Sequence, residues 1–174
     1  MSISVPETYW WKPVDREEKI WVTVALIWCI FITLMMPYWH FTGKQNPPWE
    51  TYKIKPEQFE KLAADFIAKH KVGEDNGIPV VEPPPGGDAF LVASTWKFEP
   101  VLKLQKGQTY RLHVSSLDYQ HGLSIFPINM NFMILPDYDY VLTITPTESG
   151  DYRIMCNEFC GIGHHNMVGK ITVT

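Results

Sequence analysis

Cysteine is scarce in this 174-residue chain: Cys29, Cys156 and Cys160 are all it has. Three thiols cannot build the disulfide framework of a small secreted domain, and Cys29 sits in an apolar run, where it reads as a small hydrophobe. A basic excess is missing too. The 15 Lys and Arg are outnumbered by 19 Asp and Glu, for a formal net charge of -4. That balance lacks the footprint of a nucleic-acid binder, so no nucleic-acid partner is expected. No internal repeat is visible. Aromatics, by contrast, reach 14% and prolines number 14, which suits a β-rich fold or a protein at a membrane edge.

Charge is absent altogether from Ile20 to Phe41, IWVTVALIWCIFITLMMPYWHF. As a helix at ~1.5 Å per residue, this run reaches about 33 Å, enough to cross a bilayer core. A cleavable signal peptide would have a shorter apolar core followed by small residues. Here Pro37, Tyr38, Trp39 and His40 follow instead. Trp10, Trp11 and Trp21 at one end, and Tyr38, Trp39 and Phe41 at the other, suit the headgroup regions. Lys12, Arg16 and Lys19 crowd the N-terminal flank, whereas Lys44 stands alone on the other side before Lys53. The positive-inside rule then puts residues 1–19 in the cytoplasm, a single span at 20–41, and the rest outside the plasma (inner) membrane.

Residues 42–87 read as a linker that contains an amphipathic helix over 56–72. Pro56 suits a first turn, Phe59, Leu62, Ala63, Phe66 and Ile67 make one apolar stripe, and Gly73 ends it. The stretch Glu74 to Asp88, EDNGIPVVEPPPGGD, reads as a turn-rich connector. From 88 to 174 the pattern becomes strand-like. AFLVASTWKF, TYRLHVSS, HGLSIF, YVLTITPT, YRIMC and GKITVT are separated by turn signals such as Lys106-Gly107 and Ser149-Gly150. Short strands at this spacing predict a mainly β, antiparallel sandwich.

Near its end the chain reads CNEFCGIGHHNM, in which Cys156, Cys160, His164 and Met167 follow a C-x3-C-x3-H-x2-M pattern. Thiolate, imidazole and thioether together are a soft donor set that selects copper. A mononuclear blue-copper site uses one Cys, two His and a weak Met, so a second Cys points to a second copper. Each metal then needs a terminal nitrogen. His164 supplies one. For the other, His121 in SLDYQHGLSIF is favoured over His113, because His121 follows a turn-like Asp118 and opens a strand. His165 is placed outside the cage, and His40 and His70 at an interface and on a helix surface. A Cys156–Cys160 disulfide and a structural zinc remain competing readings, although zinc leaves Met167 unexplained. Phe159, Ile162 and Val168 are read as apolar surroundings that limit the solvent response of such a centre.

CNEFCGIGHHNMVGKITV, with DYQHGLSIF upstream, resembles subunit II of the haem–copper oxidases, in the short single-span branch called B-type. NMNFMILPDYDYVLTITPTESGDYRIMC is similar to the strands that precede that family's copper loop. The resemblance runs from about Asp88 to Thr174 and does not reach the 56–73 helix. It implies a cupredoxin-like Greek-key β-sandwich behind one transmembrane helix, with a dinuclear copper (CuA) centre as cofactor. Cys156 and Cys160 would bridge the metals, with His121 and His164 as terminal ligands. Met167 and the carbonyl of Glu158 would be weak ligands; in the two-span branch of the family a glutamate at the place of Glu158 also lends its carboxylate to a magnesium shared with subunit I. Trp96, in TWKFEP, falls where the family sets an aromatic on the face where electrons enter. Glu18 resembles an acidic residue at the mouth of a proton path.

By that resemblance the chain is the electron-accepting subunit of a terminal cytochrome c oxidase. It takes electrons from cytochrome c or a similar donor and passes them to the haems of subunit I for dioxygen reduction. Further small subunits and membrane lipid are the other expected partners. No nucleophile–base pair is apparent, so the chain itself makes and breaks no substrate bond. Residues 43–174 carry 12 Lys and Arg against 15 Asp and Glu, too mild a field to steer a donor by charge. A nitric oxide reductase with the same subunit and a membrane-anchored copper chaperone are the alternatives. The chaperone needs βαβ units around its cysteines, where this chain has strand patterns. A quinol oxidase subunit would lack the copper ligands.

Overall fold

The computed structural model describes residues 13–43, 49–128 and 130–174. Trp10, Trp11, Lys12 and Lys44, which flank the expected span, lie outside the described residues. Two compact units are present, one around the N-terminal helix and one that carries the sheets.

Helix α1 covers Arg16–Thr42, 27 residues, with Pro37 in its interior. It starts before the charge-free run because Asp15 caps it: the Asp15 carboxylate accepts from the Glu18 N–H at 2.7 Å. Glu17 and Glu18 fill the first turn, where the helix dipole favours negative charge. Mean hydropathy over its apolar window is 2.2, and none of its residues is buried. A helix that is apolar all round must bury that surface outside its own unit.

The second unit is a two-sheet sandwich. Its strands are β1 (Trp49–Lys53), β2 (Lys71–Asp75), β3 (Ile78–Val81), β4 (Asp88–Ser94), β5 (Lys97–Glu99), β6 (Val101–Leu104) and β7 (Tyr110–Ser116). They continue with β8 (His121–Phe126), β9 (Met130–Ile134), β10 (Tyr138–Ile144), β11 (Gly150–Met155) and β12 (Val168–Val173). One sheet runs β1-β10-β7-β4-β5 and the other β2-β3-β6-β12-β11-β8-β9. The strand residues alternate as a half-buried sheet requires: on β7, Tyr110, Leu112 and Val114 are buried, whereas Arg111 is exposed. Leu91, Leu112, Val114 and Leu142 of the first sheet join Leu102, Leu123, Ile125 and Ile154 of the second in one core.

Three expectations need correction. The sandwich is not wholly antiparallel, because β4 pairs with β7, β12 with β6 and β3 with β6 in parallel. The chain passes from one sheet to the other between these strands instead of turning back as a hairpin. The run AFLVASTWKF is two strands, β4 and β5, divided at Thr95 and Trp96. The linker and connector also carry strands: β1 adds to the first sheet, and β2 and β3 form an antiparallel pair on the second.

Helix α2 covers Pro56–His70 and stops two residues short of the expected end, because β2 begins at Lys71. Its stripe packs Phe59 and Ala63 against Val92, with Phe90 and Leu117 alongside. Phe59 is fully buried and its ring lies 5.8 Å from that of Phe90. Phe59→Ala is expected to destabilise the unit by about 3–5 kcal/mol, read as a shift in the urea midpoint of the full-length protein.

Candidate metal centre

Two loops converge at one end of the sandwich. One enters β8 and carries Asp118 and His121. The other joins β11 to β12 and carries Cys156, Cys160, His164 and Met167, with a single 3-10 turn over His164–Asn166. The loop is tied at its base by the Cys156 N–H, which donates to the Met167 carbonyl at 3.2 Å.

The sulfurs of Cys156 and Cys160 are 3.7 Å apart. The Nδ1 of His121 lies 4.0 Å from the Cys156 sulfur, and the Nδ1 of His164 lies 3.6 Å from the Cys160 sulfur. The Met167 thioether is 3.7 Å from the Cys160 sulfur, and the Glu158 carbonyl is 3.1 Å from the Cys156 sulfur. His121, Cys156 and Cys160 form a buried group whose ligand atoms all lie within 4.8 Å of one another. His113 is elsewhere: its Nδ1 is 2.7 Å from Asp139. His165 is exposed and sits 3.0 Å from the Asn166 amide, outside the cluster.

The chemistry of the cluster fits a soft cation. Burial, then the hydrogen bond and charge of Cys156, with Asp118 behind them, push the Cys160 thiol up to about 11. Two neighbouring thiolates held out of water repel each other, and a bound cation removes that penalty. A thioether and two imidazole nitrogens facing the sulfurs complete a donor set for copper.

Asp118 organises the site, although sequence reading marks it only as a turn residue. One carboxylate oxygen accepts from the Thr95 N–H at 2.7 Å, and the other accepts from the Tyr119 N–H at 2.7 Å. That second oxygen is also 2.8 Å from His121 Nε2. With Nε2 held as the protonated nitrogen, Nδ1 keeps its lone pair facing the sulfurs. Burial opposes ionisation of Asp118, but the hydrogen bonds of Thr95 and His121, with the N–H groups of Thr95 and Tyr119, hold its carboxyl well below the usual range. The sequence signal was there in D-Y-Q-H, an acid three residues before the histidine.

Two glycines shape the cluster. The Gly122 N–H donates to the Cys156 sulfur at 3.4 Å. A Cβ at Gly122 would meet the Asn157 side-chain oxygen at 2.0 Å and two loop backbone nitrogens at 2.8 Å. Trp96 lies over the loop: its indole N–H donates to the Cys160 carbonyl at 3.3 Å, and a Cβ at Gly163 would strike its ring at 2.2 Å. Phe159, Ile162 and Val168 are exposed, the first two at 81% and 90%, so they do not shield the cluster. Shielding comes from Met167, His121 and the two cysteines themselves, all buried. Glu18 lies in the first turn of α1, where its N–H completes the cap.

No protein-family model matches the chain. Cytochrome c oxidase subunit 2 of Thermus thermophilus is 32% identical over 164 residues, which cover 93% of this chain and 94% of the relative. Among solved structures, a chain of a heme-copper terminal oxidase dimer aligns with TM-score 0.59 at 24% identity, over 91% of this chain and all of the other. Rusticyanin from Thiobacillus ferrooxidans aligns with TM-score 0.51 at 20% identity, over 74% of this chain and 99% of its own. These two likenesses establish a cupredoxin-like sandwich, and the sequence relationship to the Thermus protein places the chain in the cytochrome c oxidase subunit 2 family.

Proposed function

We propose that the chain is the electron-accepting subunit of a membrane-bound cytochrome c oxidase, holding a dinuclear copper centre through His121, Cys156, Cys160 and His164. As a subunit 2 of such an oxidase it partners subunit I. One observation carries the copper assignment: two thiols 3.7 Å apart, with a separate imidazole nitrogen facing each sulfur at 4.0 and 3.6 Å. Met167 and the Glu158 carbonyl complete the set as weak ligands, each close to one sulfur.

Held by these residues, a copper pair would supply one-electron chemistry, with the two thiolates of Cys156 and Cys160 sharing the change in charge. The chain's part is to make that change cheap. The sandwich fixes the loop at both ends, so few bonds move with oxidation state. Asp118 fixes the His121 ring, and the Gly122 N–H steadies the Cys156 sulfur. Trp96, 42% exposed and bonded to the Cys160 carbonyl, offers a short path from the surface. Exposed Phe159 and Ile162 stand on the loop of Cys160, and the mild net charge leaves docking to apolar contact. A cytochrome c or similar donor fits that surface.

The segment from 20 to 41 supports a single span in lipid, with residues 1–19 on the cytoplasmic side and the 88–174 domain outside the plasma membrane. Residues 42–87 then serve as a connecting piece that the 88–174 domain packs against through α2. Glu18 is the proton-path residue in this reading, and dioxygen is the terminal acceptor. The assay is turnover of the purified complex with ferrous cytochrome c and oxygen. Consumption of nitric oxide without any consumption of oxygen contradicts it.

Gly163→Ala separates Trp96 from the metal ligands. The added carbon displaces the Trp96 ring, whereas no ligand side chain is changed. Copper content is expected to stay the same, and electron uptake from the donor to slow roughly tenfold or more in a stopped-flow experiment.

A further inference from the structure

A second cluster of titratable groups lies on the outer face of the five-stranded sheet, away from the copper ligands. His113 on β7 is largely buried, at 13% side-chain exposure. Its Nδ1 is 2.7 Å from an oxygen of Asp139 on β10, and its Nε2 is 3.4 Å from Asp88 on β4. A neutral imidazole has one N–H and can donate to only one of these carboxylates; the imidazolium donates to both. The second oxygen of Asp139 is buried and has no hydrogen-bond partner among the described residues. A buried carboxylate bonded through one oxygen alone depends on its cationic neighbour.

The ring is also part of the seam under α2. His113 stacks on Phe90 with centroids 4.6 Å apart and planes 15° from parallel. Phe90 in turn meets Phe59 and Phe66 of the helix, at 5.8 and 5.4 Å. The other charged groups around the cluster are few. Arg111, two residues along β7, is 4.0 Å from Asp88 and 3.4 Å from Glu50 on β1. From α2, His70 lies behind Phe66, with ring centroids 5.1 Å apart.

We propose that His113, gripped by Asp139 and Asp88 and stacked on Phe90, is a proton-operated clamp that fastens α2 to the five-stranded sheet and slackens when it loses its proton. Burial alone would lower the affinity of His113 for a proton; the hydrogen bond and charge of Asp139, then the charge of Asp88, outweigh it and hold the imidazole above its ordinary value. The sign follows. A histidine whose folded pKa is raised stabilises the fold fully below its unfolded pKa, about 6.5, and loses that contribution as pH rises through the folded value. Deprotonation leaves Asp139 as a buried anion with no cation against it, at the seam where the helix is held.

The test is amide hydrogen exchange of the full-length protein in lipid nanodiscs from about pH 5.5 to about pH 9, corrected for intrinsic exchange. Protection over residues 56–70 is expected to fall by up to about tenfold per pH unit through the titration of His113, while β11 and β12 stay protected. In Asp139→Asn this pH response should vanish. The double variant His113→Phe/Asp139→Leu replaces the ion pair by apolar groups and should keep α2 protected to the highest pH. Flat wild-type protection of α2, or a full pH response in Asp139→Asn, overturns the proposal. Should Asp139→Asn not fold, the imidazole resonance of wild-type His113 is followed beside the exchange: loss of α2 protection that tracks a raised His113 midpoint upholds the clamp, and a midpoint at or below that of an exposed histidine, or α2 protection that does not follow the midpoint, overturns it.

Discussion

Cys160→Ser is expected to abolish the proposed dinuclear centre. Cys160 is the more connected thiol: its sulfur faces Cys156, the His164 nitrogen and the Met167 thioether at 3.7, 3.6 and 3.7 Å. A serine oxygen is hard, holds its proton at neutral pH and reaches less far than sulfur. The remaining Cys156, His121, His164 and Met167 are one Cys, two His and a weak Met, at most a mononuclear soft site. Changes that touch only the groups around metal ligands already lower affinity or activity by about 10–100-fold, so loss of a proposed thiolate ligand should cost more than about 100-fold in oxygen turnover. The measurement pairs copper content with steady-state turnover of the purified complex. Near-normal turnover with copper retained would remove Cys160 from the centre.

Asp118→Ala should produce the second largest effect, without touching a proposed ligand. The substitution leaves the Thr95 and Tyr119 N–H groups and His121 Nε2 without their acceptor. Hydrogen bonds to a charged partner contribute about 1.5–3 kcal/mol each, so the loop before β8 loses much of its definition. The His121 ring is then free to turn, and copper affinity is expected to drop about 10–100-fold, measured by competition with a chelator. The pH dependence is set by the lowered carboxyl of Asp118. A group with a depressed folded pKa stabilises the protein above its unfolded value, about 3.9, and loses that contribution as pH falls toward the folded one. Metal-free wild type should therefore lose part of its stability advantage over Asp118→Ala only below about pH 4, in urea titrations at a series of acid pH values.

The proposed copper loop is legible in the sequence because its candidate donors are contiguous. Cys156, Cys160, His164 and Met167 fall within one turn-rich loop, so spacing alone brings them together. His121 is harder. It is 35 residues from Cys156, and only the turn before β8 hints at its position. Asp118, Gly122 and Trp96 act through geometry that no local pattern encodes: an Asp in a turn, a Gly in a strand and a Trp at a strand break each have commoner explanations. Helix α2 shows in its apolar stripe, but its neighbours β1 and β2 do not. WETYK and KVGED are polar edge strands, and an edge needs no hydrophobic alternation to pair on one side. The misreading of Phe159 and Ile162 has a similar root. Apolar residues in a loop suggest shielding, yet these two stand out into solvent, where a partner surface is the better use for them. The pair His113–Asp139 joins residues 26 apart on neighbouring strands and leaves no mark in either segment.

The account rests on two metals sharing one electron between two thiols. Copper quantification with electron paramagnetic resonance of the intact, oxidised protein tests this most directly. Two coppers per chain, and an unpaired electron coupled equally to both nuclei, is the predicted result. A single copper, a zinc ion or an electron localised on one metal would contradict it.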